Sequence, residues 1–141
     1  MSKSFKFKNL LLDSIGIAHK KQLLSDILDS SIVESGENTI GSYIKFASGM
    51  LITIHQVNQY LERTSEWGSM FETTQPANLG NYPIAFKYTP FIFLTLYNNN
   101  AIFEAINEAT NTTAGKVYLI APTSNASQIY TIQVLSIGRW K

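Results

Sequence analysis

The chain has 141 residues, of which 45% are hydrophobic and only 15% charged, with 11 basic against 10 acidic side chains and no cysteine. That length holds one ordinary core, and the even charge balance leaves no electrostatic footprint for nucleic acid. The missing cysteines exclude disulfides, thiol catalysis and thiolate metal sites.

Met1 to Lys8 alternates polar and aromatic residues, with Phe5–Lys8 reading as a short strand, and has no apolar block of the kind that makes a secretion signal. No uncharged stretch approaches the roughly 20 residues of a bilayer span, so no membrane insertion is expected. From Ala18 to Asp29 the positions Leu23, Leu24, Ile27 and Leu28 recur at helical spacing. A single helix of that length is marginal alone in water. It is expected to dock on the rest of the chain or to bundle with copies of itself, and the sequence leaves both readings open.

Ser35 to Gly41 is turn chemistry and reads as a boundary. The expected organisation is a connector over residues 1–36 with a short amphipathic helix, and a tip domain over residues 37–141. Within that domain Ser42–Ala47 and Met50–Val57 form a hairpin across Ser48-Gly49. Residues from Asn58 to Tyr82 form a polar stretch with room for one short strand. Pro83 opens a further strand at Ile84-Ala85-Phe86. Phe91–Tyr97, Lys116–Ala121 and Ile129–Trp140 are strong strand runs. Ala101–Ala109 fits a strand or a helical face, with a strand favoured by its place in a meander. The fold class predicted is mostly β: an antiparallel β-sandwich with a short N-terminal helical segment.

A half-solvated antiparallel strand should alternate apolar and polar residues. Phe91 to Tyr97 and Val117 to Ala121 are apolar on both faces instead. A domain of this size has no third layer to cover the second face, so burial by another subunit is expected; the alternative is cover by the N-terminal helix, which would hide only one such strip. So low a charge content points the same way.

Three segments carry a resemblance. Gly41 to Ile52, then Tyr82-Pro83-Ile84-Ala85-Phe86 with Thr89-Pro90, then Ile137-Gly138-Arg139-Trp140-Lys141 resemble, in that order, bacteriophage tail-fibre C-terminal domains. These are the small β-sandwich tips of the H-type-lectin-like group, and the likeness spans about 100 residues, from Gly41 to Lys141. The segment from Ser14 to Ser30 also looks like the connector that precedes such tips. The resemblance implies a homotrimer about a fibre axis, other tail or baseplate proteins as neighbours, a place in the virion tail, and recognition of a host surface glycan or protein.

No residue set points to chemistry. The serines have no nucleophile elbow around them, and the acids of the β region are scattered; the chain is read as no enzyme, with no catalytic residues and no cofactor. A glycan depolymerase and a purely structural assembly protein remain rival readings. His55 and His19 have no third ligand, so no metal site is expected. His55 reads as a core or interface histidine; on a threefold axis, three copies would hold an ion. For recognition, aromatic faces and amides are the tools that bind sugars, and the candidates are Tyr60, Trp67, Tyr97, Asn98, Asn99 and Asn100. Trp67 is equally a core plug, and Trp140 is expected to pack the final strand, with Arg139 beside it.

Overall fold

In a computed structural model of the protein, the described residues are Gly16, residues 19–23, Asp26 and residues 31–141. Residues 19–23 and Asp26 are helical and exposed. The expected strand at Phe5–Lys8 and the apolar helix positions Leu24, Ile27 and Leu28 lie outside the described residues.

The strands are β1 (Ile32–Glu37), β2 (Gly41–Phe46), β3 (Met50–Arg63), β4 (Ser65–Trp67), β5 (Met70–Glu72), β6 (Ala77–Asn78), β7 (Phe91–Leu96), β8 (Ile102–Phe103), β9 (Lys116–Val117), β10 (Leu119–Ala121) and β11 (Asn125–Arg139). They form a five-stranded sheet in the order β1-β2-β3-β11-β7, a four-stranded sheet β4-β5-β10-β8 and a two-stranded sheet β6-β9. Every pairing is antiparallel. The chain is therefore mostly β and sandwich-like, as its sequence predicts.

Side-chain alternation builds the core. On β3 the residues Leu51, Thr53, His55, Leu61 and Arg63 are buried, and on β11 Tyr130, Ile132, Val134 and Ser136 are. Val134 pairs with His55 and Ser136 with Thr53, so both buried sets share one face of the sheet. Leu79, Tyr82 and Phe86, between β6 and β7, cover that face together with Ala114, Val117 and Leu119. Each buried Leu, Ile or Val stabilises the fold by about 1.5–3 kcal/mol. Phe86 approaches β11 closely because residue 138 is glycine; a Cβ there would stand 2.8 Å from Phe86 Cδ1 and 2.9 Å from Pro90 Cβ.

Polar groups fix the ends. The buried Arg63 guanidinium donates from Nε to the Thr123 carbonyl at 3.0 Å and from Nη1 to the Tyr130 hydroxyl at 3.2 Å, which satisfies a charge that burial would otherwise penalise. Trp140 Nε1 donates to the Phe46 carbonyl at 2.9 Å, tying the end of the chain to β2, while Arg139 Nη2 donates to the Ser48 carbonyl at 2.9 Å. Glu34 on β1 accepts from Lys45 Nζ and from the Tyr43 hydroxyl of β2, both at 2.7 Å. Those two bonds, the lysine's first, hold its carboxyl below the usual range.

Several local expectations are corrected. The hairpin connection is residues 47–49, one residue longer than expected, with Gly49 at φ 94° and its N–H bonded to the Phe46 carbonyl. Ser35 to Glu37 continue β1, and the turn is confined to residues 38–40, where Asn38 Oδ1 accepts from Ile40 N and Gly41 N. β3 runs on to Arg63 because β11 is long enough to pair with it throughout, and the stretch after it holds three short strands rather than one. No strand forms at Ile84–Phe86: Tyr82 and Phe86 are core plugs, and their N–H groups bond the carbonyls of Thr112 and Asn111. Of Ala101–Ala109 only Ile102–Phe103 is a strand; Glu108 turns to φ 59°, which no extended run tolerates.

Candidate functional site

The register across β1, β2, β3, β11 and β7 sorts the outer face of the large sheet into rows. The first is Ile32, Phe46, Met50 and Arg139. The second is Ser35, Ile44, Ile52, Ile137 and Phe91, and the third Glu37, Ser42, Ile54, Leu135 and Phe93. Phe91 is 78% exposed, Phe93 55% and Ile54 56%. Rows lie about 7 Å apart and strands about 4.8 Å apart, so the ten apolar positions of these three rows cover on the order of 300 Å², with Arg139, Ser35, Glu37 and Ser42 toward the edges. Among soluble chains, exposed apolar patches of that size are commonly contact surfaces.

The same face changes character further along the strands. The fourth row is Gln56, Gln133 and Thr95, all exposed. Beyond it Asn58 pairs with Thr131, next to Tyr97, whose N–H bonds the Thr131 carbonyl, and Tyr60 then pairs with Ile129. A groove of about 370 Å³ straddles the boundary: Gln133 and Leu135 of β11 form its floor, Ile54 and Gln56 of β3 one wall, Phe93 and Thr95 of β7 the other.

The six residues singled out for recognition fall into two groups. Tyr60 and Tyr97, 72% and 74% exposed, share the outer face and flank β11. Asn98 and Asn99 stand beside them but are committed to the fold. Asn98 Oδ1 accepts from Thr131 N at 2.9 Å, and Asn99 Nδ2 donates to the Ile129 carbonyl at 2.7 Å. Trp67, exposed and therefore no core plug, pairs with Met70 on the four-stranded sheet. Met70 and Asn100 line a separate shallow groove with Ile102, Ile120 and Pro122. Sequence reasoning missed Gln56, Asn58, Thr95 and Gln133. The signal was there in the strand phase of β3, whose even-numbered residues all point outward once the strand is carried past Val57.

Inside the sheet, His55 Nε2 lies 2.7 Å from the Leu79 carbonyl. A carbonyl only accepts, so Nε2 carries the proton. Nδ1 is buried without a hydrogen-bond partner among the described residues, as are Thr53 Oγ1, Ser136 Oγ and the Tyr82 hydroxyl. The Tyr82 ring meets His55 edge-on at 6.2 Å and Phe86 at 4.9 Å, and burial pushes its phenol up to about 12. His55 thus belongs to this chain's own core. Its ring turns away from the exposed face, which corrects the idea of three such rings meeting an ion on an axis outside the sheet.

Among the described residues no group of three or more His, Asp or Glu side chains is placed to hold a metal ion. The acids make local contacts: Glu108 pairs with Lys116 at 2.7 Å, and Glu62 and Glu72 accept from Thr64 and Ser65.

No protein-family model and no curated protein matches the sequence. Among solved structures the chain is similar to a C-terminal fragment of the P. aeruginosa R1 pyocin fibre. The identity is 18% and the TM-score 0.45, over 75% of this chain and 28% of that one. It is also similar to an N-truncated R1-type pyocin tail fibre, at 17% identity and a TM-score of 0.48, over 87% of this chain and 96% of that one. At such identities and scores neither likeness assigns a function, and the chain spans little more than a quarter of the first.

Proposed function

We propose that the chain is a receptor-binding module of a phage or phage-derived tail, working as a homotrimer that recognises a host surface glycan or protein. The observation that carries this reading is the apolar outer face. Ile44, Phe46, Met50, Ile52, Ile54, Leu135, Ile137, Phe91 and Phe93 stand together on the side of the sheet that the chain's own core does not cover. A second copy is the economical cover, since it brings the same apolar surface and gains as much as it gives. Threefold symmetry and the tail setting come from the tail-fibre resemblance of the Gly41–Ile52, Tyr82–Pro90 and Ile137–Lys141 segments. Three weak sites held on one particle would bind a cell through avidity.

Light scattering on the full chain tests the first half: a mass three times 15.8 kDa is expected at micromolar concentration, and a stable single chain would remove the reading. Sedimentation with whole host cells tests the second half. Trimers that leave every candidate cell in suspension would favour a purely structural baseplate or fibre component.

A further inference from the structure

We infer that the polar end of the outer face is a site for an uncharged oligosaccharide, held between Tyr60 and Tyr97 over Gln56, Asn58 and Gln133. The inference rests on the receptor-binding reading and names its ligand class.

Chemistry at the site supports it in three ways. First, Tyr60 and Tyr97 expose nearly three-quarters of their surface either side of β11, Tyr60 on β3 and Tyr97 one residue past the end of β7. Strand spacing and rise place their Cα atoms roughly 12 Å apart, so they offer two stacking faces for one chain of sugar rings rather than a single platform.

Second, the amides between them are free. Gln56, Asn58 and Gln133 are exposed and make no side-chain hydrogen bond with any of the described residues. Their neighbours Gln59, Asn78, Asn98 and Asn99 are all committed: Gln59 Nε2 donates to the Asn78 carbonyl, Asn78 Oδ1 accepts from Gly80 N, and the other two hold β11. Each free amide presents one acceptor and two donors, which matches the paired donor and acceptor character of sugar hydroxyls.

Third, charge is missing where an ionic ligand would need it. On the outer face no cationic side chain stands in the rows between Arg139 and Tyr60. Glu37 lies two strands to the side of β3 in the third row, and Glu62 lies one step beyond Tyr60. A phosphate- or uronate-bearing polymer would meet no counter-charge there and would face two carboxylates at the margins. A neutral saccharide loses nothing by that arrangement. The groove floored by Gln133 and Leu135, whose walls carry Ile54 and Phe93 at one end and Gln56 and Thr95 at the other, continues the site to the rim of the apolar patch, where the less polar face of a ring can rest.

The test is an array carrying uncharged hexose and N-acetylhexosamine oligosaccharides beside phosphate-, sulfate- and uronate-bearing ones, probed with the 141-residue chain. Binding is expected on the uncharged set alone. It should hold steady from about 0.1 to about 1 M salt, although the Debye length falls from about 10 to about 3 Å. Tyr60→Ala and Tyr97→Ala should each weaken it about tenfold with the mass in solution unchanged. Binding confined to the anionic set and dissolving in salt would overturn the inference while leaving receptor binding intact. So would whole-cell binding with no saccharide captured, which would make the receptor a protein. Failure to bind cells at all would remove the receptor-binding reading itself.

Discussion

On its inner face the five-stranded sheet places Thr53, His55 and Ser136 among Leu51, Ile132 and Val134, and the chain covers all six. On its outer face, interleaved with those polar positions, stand Ile52, Ile54, Leu135 and Ile137, with Phe91 and Phe93 alongside. The side sealed within the chain mixes hydrocarbon with hydroxyls and an imidazole that find few partners among the described residues, and the side left open carries an unbroken run of hydrocarbon at Ile52, Ile54, Leu135 and Ile137. Burial among the described residues accounts for the first face only. Under the proposed homotrimer a second copy covers the outer face, and the hydrophobic effect that is unused in folding drives that association.

The sharpest way to separate the faces is to damage each in turn. Ile132→Ala removes a fully buried side chain next to Val134 and should cost about 2–5 kcal/mol in urea unfolding. Leu135→Lys, one position along the same strand, should leave the secondary structure by circular dichroism intact while weakening association at least about tenfold, a change of about 1.4 kcal/mol. A mass unmoved by that lysine would place the subunit contact elsewhere. On the inner face, Ser136→Ala removes a hydroxyl that has no hydrogen-bond partner among the described residues. It should therefore leave stability unchanged or raise it by up to about 1 kcal/mol; a clear loss would show that the hydroxyl is bonded in solution.

The smallest effect near neutral pH belongs to Tyr82. Its phenol is raised from 10.0 to about 12 by burial, so the folded state favours the protonated form. The stability this contributes is complete below about pH 10, where the unfolded phenol titrates, and is lost as pH rises through about 12. Ultraviolet titration should show one of the seven tyrosines ionising last, and Tyr82→Phe should abolish both that late step and its share of the alkaline loss.

Much of this architecture was legible in the residues. The hairpin at Gly49, the run at Phe91–Leu96 and the final strand follow from alternation and turn chemistry, which are local. Two apolar runs looked alike, yet Val117, Leu119, Ile120 and Ala121 are all buried by the chain itself, with β10 between β5 and β8, while only Phe91–Leu96 keeps an open apolar face. Which neighbours a strand acquires is a non-local fact that no window of sequence contains. The same holds for the candidate site: Tyr60 and Tyr97 were visible as exposed aromatics, but only register shows that Gln56, Asn58 and Gln133 stand with them and that Trp67 does not. The bonds of Asn98 and Asn99 to β11 were not legible either, because an amide in a loop reads identically whether it faces solvent or a backbone group.

Of the described strands, the one that lies between β3 and β7 is the last to be translated. Until Arg139 has left the ribosome, β7 has no partner in the large sheet and β3 is paired on its β2 side alone, so every earlier intermediate leaves both with an open edge. Assembly of this sheet is thus a late, all-at-once event of high contact order, exposed to premature clumping for as long as synthesis lasts. A stop codon anywhere within β11 would remove the seam of the molecule rather than trim its margin.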